Sequence, residues 1–179
     1  LYLQAFLLMG SFVAMYNYIG FHLGRPPFSI SPGWVSLLFF AYLSGTWSSG
    51  AAGRMAIRFG RRRVLIVSSA TMILAGAIAL VEWLPAVIVA LVLFTAGFFA
   101  AHSIANGWVP TLARSSPAQA SSFYILGYYA GSSIIGYVAG LVYARVDWLG
   151  LMGFLALLLV VAIAAARLWL PAGPEGAES

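Results

Sequence analysis

The sequence predicts an all-α membrane protein whose six transmembrane helices form an inverted 3+3 repeat. Of its 179 residues, 63% are hydrophobic and 7% are charged, and the mean hydropathy is +0.97. A soluble domain carries about 25% charged residues, so this chain has too few charges to cover a surface in water. Its apolar runs are long enough to cross roughly 30 Å of hydrocarbon, and helix breakers and one arginine-rich stretch separate them.

The predicted spans form one bundle over residues 1–170. They cover about residues 2–23, 34–59, 64–81, 86–108, 120–143 and 149–170. Proline, glycine or charged residues lie in the connections, for example Gly-Arg-Pro-Pro at 24–27 and Arg-Val-Asp at 145–147. Pro110 marks the predicted end of the fourth span. The polar segment 171–179 is predicted to be a disordered cytoplasmic tail.

The distribution of arginines predicts the orientation of the bundle. All nine basic residues are arginine, and Lys and Arg near the ends of spans are kept on the cytoplasmic side. With the arginine-rich turn at 58–63 inside, the inner ends hold seven arginines and the outer ends hold two. The inner set is Arg54, Arg58, Arg61, Arg62, Arg63, Arg114 and Arg167, and the outer set is Arg25 and Arg145. This bias places both termini in the cytoplasm, and the Ala-, Gly- and Arg-rich composition favours a bacterial cytoplasmic (inner) membrane.

Several other classes of protein are excluded. The net charge of +5 is concentrated in a turn, which indicates a topology signal and not a nucleic-acid surface. There is no cysteine, no metal-ligand spacing and no phosphate loop, so we predict no metal and no cofactor. Gly-Ser-Ser at 131–133 lacks the last glycine of an intramembrane serine protease, and no enzyme is predicted. Because Leu1 opens directly in an apolar run without a basic segment, we expect no signal peptide and a longer parent protein.

His102 is the main candidate for chemistry inside the membrane. Apart from tyrosines, it is the titratable side chain that lies at membrane depth in the predicted spans. Phe98 and Asn106 lie one helical turn before and after it, on the same face. This stripe is either a wall that faces substrate or exchanges protons, or a neutral histidine hydrogen-bonded between helices as packing.

The first and fifth spans carry further candidates for a cavity wall. Tyr16 and Asn17 lie late in the first span, and Tyr128 and Tyr129 lie in the fifth. Tyrosines near span ends often form only an interfacial belt, whereas an amide in hydrocarbon needs partners. Asn17 and Asn106 come late in spans of opposite direction, which is the relation that an inverted repeat predicts.

Small residues recur at every fourth position in the fifth span. Gly127 and Gly131 form one such pair, and Ser132, Gly136 and Gly140 form a second row. The second span has a similar face with Gly45 and Gly53. Such spacing predicts that two helix backbones approach closely.

The stretch from Gly53 to Arg63 resembles the loop signature of the major facilitator superfamily, roughly G-x-L-A-D-R-x-G-R-R/K. The match covers Gly53, Ala56, Arg58, Gly60, Arg61 and Arg62. Ile57 stands where the family has an aspartate, a departure that favours the second copy of the signature, in the C-terminal half. Segments 16–20, 42–49, 94–103 and 120–133 are similar to the YnfM-type branch of bacterial drug:proton-antiporter-like facilitators.

The resemblance implies a fold and a function. The six spans would be helices seven to twelve of a twelve-helix carrier, with the first and fourth lining a central cavity. The second and fifth, with their small-residue seams, would pack against the missing N-terminal half of the same polypeptide. The implied activity is secondary active transport of a small molecule by alternating access, with proton-coupled efflux as the expected mode. Two alternatives remain open: a six-span half-transporter that works as a homodimer, and a non-transporting scaffold or remnant.

Neutralising Arg61, Arg62 and Arg63 together is expected to weaken or invert the topology, because these charges orient the bundle. The measurement is cysteine-accessibility labelling of both termini, which the cysteine-free sequence makes specific. Labelling that is unchanged in the triple variant would contradict the prediction.

Overall fold

The computed structural model describes residues 1–113 and 115–172, and this part of the chain is helical without any strand. The elements in order are α1 (Tyr2–Leu23), α2 (Pro32–Val35), the 3-10 helix η1 (Ser36–Ala41), α3 (Tyr42–Phe59), α4 (Arg61–Ile78), α5 (Leu84–Leu112) and α6 (Pro117–Trp169). By length and composition, α1, α5 and α6 qualify as membrane-crossing helices among the described elements. The predicted disordered tail lies, from residue 173 on, outside the described residues, as does Arg114.

Helix α6 consists of two limbs that run in opposite directions. Asp147 interrupts it with φ 55° and ψ −157°, a conformation that is rare for a residue with a side chain. In the first limb, 117–146, Gly127 lies beside Tyr2 and Gly140 beside Tyr18, so this limb is parallel to α1. In the second limb, 148–169, the Gln4 Nε2 donates to the Ala162 carbonyl at 2.7 Å and Trp148 stacks on His22. The second limb is therefore antiparallel to α1.

Two helices differ from their predicted course. The second span was expected to be one continuous helix, but it begins as α2, tightens into η1 and becomes a longer α-helix at Tyr42. Of the residues in α2 and η1 only Ala41 is buried, so little packing holds this segment in regular α geometry. Helix α5 continues past its predicted end, through Pro110 to Leu112. Proline leaves the carbonyl four residues earlier without its N–H partner, and both Pro110 and Asn106 are exposed, where that carbonyl can be solvated.

The core lies where α1, α4, α5 and α6 meet. Its largest fully buried side chains include Tyr124, Phe94, Phe98, Leu8, Met15, Leu65, Met72 and Leu155. Large apolar side chains also cover much of the outside: Trp47 is 73% exposed, and Leu168 is 76% exposed. Exposed apolar surface on this scale is unusual for a soluble protein but is the normal surface of a protein in lipid.

Glycines allow α1 and the first limb of α6 to approach closely. Gly131 lies against the backbone of Phe6, and Gly10 faces Ile135 across the same contact. Gly127, Gly136 and Gly140 also face α1. The close approach predicted from the four-residue spacing is confirmed, but its partner is α1 of the same chain. The glycine face of the fifth span is thus occupied by its parallel neighbour α1, and contact of this span with a missing half stays a prediction.

The α3 seam divides in a different way. Gly45 lies against the ring of Phe99 on α5, whereas Gly53 has no neighbour from another element within contact distance among the described residues. One part of this small-residue face is thus used inside the bundle. The other part, toward the arginine-rich turn, is open.

Replacing Gly131 with alanine is expected to destabilise the protein by about 1–3 kcal/mol, because the new methyl group would overlap the Phe6 backbone. Gly153→Ala is the matched control: this glycine in the second limb has open space around it. The control should be neutral or about 1 kcal/mol more stable, since alanine favours helix over glycine. Free energies of unfolding in mixed detergent micelles measure both effects. Equal effects of the two variants would contradict the conclusion that Gly131 is required for the close approach of α1 and α6.

Candidate functional site

A continuous cluster of rings joins η1, α1, α3, α5 and α6. Neighbouring ring centroids lie 4.0–5.9 Å apart. We call this the aromatic cluster, and its members are Phe12, Tyr16, Phe39, Tyr42, Phe98, Phe99, His102, Tyr124, Tyr128 and Tyr129. Several members are spaced four residues apart on one helix, which puts them on one face. The aromatic cluster therefore forms where the ring-bearing faces of three helices, α1, α5 and α6, meet.

His102 is the polar centre of the aromatic cluster. Its Nδ1 lies 3.0 Å from the Tyr124 hydroxyl, a hydrogen bond that joins α5 to α6. Its ring is stacked on Phe98 at 5.6 Å and lies 5.0 Å from the ring of Tyr128. The imidazole is half-buried, so it is held by neighbours on one side and open on the other. This geometry combines interhelical packing with access from outside.

Tyr16 and Phe98 tie α1 to α5. The Tyr16 hydroxyl lies 2.8 Å from the Thr95 hydroxyl, and the Phe12 ring stacks on Phe98 with a centroid distance of 4.0 Å and an interplanar angle of 16°. Phe98 and Thr95 are buried, while Tyr16 is half-buried. These contacts make a largely buried base beneath the more open rings.

The open side of the aromatic cluster is formed by tyrosines of α6. Tyr128 is half-buried and Tyr129 is 63% exposed, and their rings meet edge to face at 5.3 Å. Tyr42 of α3 closes the opposite border against Phe99 and Tyr16. An organic molecule on this side would meet ring faces, two hydroxyl groups and the imidazole.

The two asparagines lie outside the aromatic cluster. Asn17 is exposed and borders a separate cavity of about 420 Å³ with Phe21 and Val35, and its amide nitrogen lies beside Gly136. Asn106 is exposed one turn beyond His102. Thus the structure joins Phe98 to His102 as the spacing predicted, but it separates Asn106 from them.

Sequence reasoning missed several members of the aromatic cluster. Tyr124 is fully buried and holds His102, and its position four residues before Tyr128 was the signal that could have identified it. Phe12 has the same relation to Tyr16. Tyr42 and Phe99 carried no such signal, since their contact depends on how α3 crosses α5.

The residues of the loop signature gather at one end of the bundle. Gly60 separates α3 from α4 with φ 86°, which favours glycine. The Arg61 guanidinium donates to the Thr111 hydroxyl at 2.9 Å, and Arg62 donates to the Leu170 carbonyl at 3.1 Å. Arg58 lies over the Phe59 ring at 5.1 Å. The turn is therefore tied to the ends of α5 and α6.

The cavity beside this turn is small. Gly53, Ile57, Arg61, Ser103 and Gly107 are among the residues that border its roughly 160 Å³. Ile57, at the position of the family's aspartate, is 83% exposed. Ile57 supplies no carboxylate at this position, and the Arg61 and Arg62 guanidinium groups donate to the Thr111 hydroxyl and the Leu170 carbonyl.

The opposite end of the bundle carries the described acidic residues. Arg25 pairs with Asp147 at 3.5 Å and lies over the Tyr143 ring at 5.5 Å. The His22 ring stacks on Trp148 at 4.3 Å, and the Trp148 indole donates to the Ala79 carbonyl at 2.9 Å. Within residues 1–113 and 115–172, no group of three or more His, Asp or Glu could hold a metal ion. This end joins α1, α6 and the end of α4 by rings and one ion pair.

Comparison with known proteins identifies the family. The sequence profile of the Major Facilitator Superfamily matches residues 1–179. The inner membrane transport protein YnfM of Escherichia coli is 44% identical over 163 residues, which are 91% of this chain and 39% of that protein. The MFS-type transporter YybF of Bacillus subtilis is 41% identical over 164 residues, and an uncharacterized transporter of Buchnera aphidicola is 36% identical over 163.

The chain spans about 40% of the length of these curated relatives. The match confirms the resemblance carried by the loop signature and by the YnfM-type segments. It identifies a multi-pass membrane protein that is related to transporters and not to enzymes. The chain belongs to the Major Facilitator Superfamily of membrane transporters.

Proposed function

We propose that this chain is the C-terminal six-helix bundle of a twelve-helix secondary transporter in the bacterial cytoplasmic membrane. The transporter moves a small molecule by alternating access, as proton-coupled efflux. Its partner is the N-terminal six-helix half of the same polypeptide. The proposal is supported by the family match and by a chain length near 40% of that of its relatives.

The proposed six spans are α1, the α2–η1–α3 segment, α4, α5 and the two limbs of α6. The opposite directions of the two limbs support the fifth and sixth spans as separate crossings. Leu1 borders the same cavity as Leu112, next to Thr111, and Leu170 accepts a hydrogen bond from Arg62. Both ends of the described bundle thus lie beside the arginine-rich turn. Arginine is kept on the cytoplasmic side, which supports cytoplasmic termini.

The aromatic cluster is the observation that carries the proposed substrate site. It places a half-buried imidazole and two accessible tyrosine rings on one side of a buried base. Binding sites for small molecules typically combine apolar and aromatic walls with a few fixed polar groups. In this arrangement Phe98, His102, Tyr128 and Tyr129 border the substrate, and Tyr16 supports them through Thr95.

His102 is the proposed proton-exchanging group of this half. Tyr124 occupies its Nδ1, which fixes the orientation of the ring and directs Nε2 away from that bond. A histidine held in this way can accept or release a proton when the cavity opens to either side. Asn17 and Asn106 lie outside the aromatic cluster and would contact only larger substrates.

The arginine-rich turn is the proposed cytoplasmic gate. Gly60 provides the hinge, because its positive φ separates α3 from α4. Arg61 and Arg62 link the turn to α5 and α6, so the bundle rocks as one body against its partner half.

The first test is efflux of a panel of lipophilic cations and small metabolites from cells that express the complete reading frame with His102→Ala. We expect the initial rate to fall about tenfold or more at equal membrane levels, since a lost polar contact in a site is worth about 1–3 kcal/mol. His22→Ala is the matched control, because this second histidine lies outside the aromatic cluster. It stacks on Trp148 at the end of the bundle opposite the arginine-rich turn. Normal efflux by His102→Ala would make the residue a packing element and would refute its role in the site.

A double-mutant cycle with Tyr124→Phe tests how His102 is held. The phenylalanine keeps the buried ring and removes the hydroxyl bonded to Nδ1. The loss of one hydrogen bond should weaken apparent substrate affinity by about two- to tenfold. The effects of Tyr124→Phe and His102→Ala should be non-additive, because both remove the same contact. Fully additive losses would show that the two residues act independently.

A further inference from the structure

A groove between α3 and α4 lies outside the proposed transport path. It holds about 400 Å³ and begins at the arginine-rich turn. Its walls are formed by Trp47, Ala51, Met55, Phe59, Val64 and Val67. The buried residues Ala52, Ser68 and Ala100 close its floor, so it is a cleft in the outer surface and not a passage through the bundle.

The length of the groove matches one leaflet of a membrane. Along α3 it extends from Phe59 to Trp47. At 1.5 Å per residue this distance is roughly 18 Å, close to half of the roughly 30 Å hydrocarbon thickness. A single extended acyl chain would run from the turn to near the midplane, with Trp47 beside its inner end.

Among the described residues that line the groove, positive charge is found at one end only. Arg63 borders it and is exposed, and the Arg58 guanidinium lies over the ring of Phe59, which also lines it. Below Arg63 the outward positions of α4 are Val67, Ala70 and Leu74. A larger cavity of about 720 Å³ at the other end of the molecule is lined by apolar side chains and two serines. The α3–α4 groove therefore differs in pairing an apolar channel with one lining arginine, Arg63, and a second guanidinium, that of Arg58, over the ring of a lining residue.

We propose that the α3–α4 groove binds one acyl chain of an anionic phospholipid whose phosphate is held by Arg63 and Arg58. Basic side chains beside grooves between membrane helices select anionic headgroups, and guanidinium groups match phosphate oxygens in geometry. The lipid would fill the cleft between α3 and α4 and cover its small side chains. The inference does not depend on the transported substrate or on coupling to protons.

Quenching of Trp47 by brominated lipids tests the site. The full chain is reconstituted into vesicles of phosphatidylcholine with 20% of either dibrominated phosphatidylglycerol or dibrominated phosphatidylcholine. The Trp47 signal is the difference between the native chain and Trp47→Phe. We expect the phosphatidylglycerol to quench this signal preferentially, and Ala51→Phe, which fills the groove, to reduce that quenching.

The arginine variants separate a built site from general surface attraction. Arg63→Gln should lower the preference for phosphatidylglycerol about fivefold, the effect of one arginine beside an anionic lipid surface. Arg54→Gln is the matched control: it removes the same charge from the same end, but Arg54 does not line the groove. Equal quenching by the two lipids would overturn the proposal, as would an equal loss of preference in both arginine variants. If Arg63→Gln does not fold, two other results still test the proposal. They are the preference of the native chain for phosphatidylglycerol and the reduction of Trp47 quenching by Ala51→Phe.

Discussion

In hydrocarbon no water is present to satisfy an N–H or a C=O group, and this constraint governs the rest of the structure. The described chain meets it by forming helices almost throughout. Apolar side chains gain little from moving out of lipid and into contact with one another, so helices associate through close packing and a few hydrogen bonds. Some of those bonds join side chains to backbone carbonyls, as from Gln4 to Ala162, Tyr18 to Gly136 and Trp148 to Ala79. Others join two side chains, as between Tyr124 and His102.

Helix α1 shows how this packing also positions the candidate site. One face, which includes Gly10 and Asn17, lies against the glycines of the first limb of α6. Phe12 and Tyr16 point to another side and contact α5 through Phe98 and Thr95. The glycine seam brings α6 close enough for Tyr124 and Tyr128 to reach His102. Close packing on one face of α1 thus helps to bring together the aromatic cluster, to which another face of α1 contributes Phe12 and Tyr16.

The two ends of the bundle are held by different chemistry. At the arginine-rich end, guanidinium groups donate to a hydroxyl and to a helix-terminal carbonyl, which are interactions that aqueous surroundings weaken. At the opposite end, stacked rings and one exposed ion pair join α1 to the turn at Asp147. A bundle that rocks within the membrane needs ends that can change their contacts. The proposed lipid groove lies at the first of these ends, where the bound phosphate would pair with the neighbouring Arg58 and Arg63.

Hydropathy and charge, read along the chain, were sufficient to identify the membrane class and the helical content, and the residues around Gly60 carried the resemblance to the family. These properties are local sums over a segment, so they do not depend on which helix lies beside which. The four-residue spacing of Phe98 and His102, and of the α6 glycines, also predicted which residues share a face. Only the tertiary structure decided that Tyr124 meets His102, that Asn106 stands apart and that the glycine seam packs on α1. The helical period sets the direction of a side chain from its own axis, whereas contact also requires the position and rotation of a second helix.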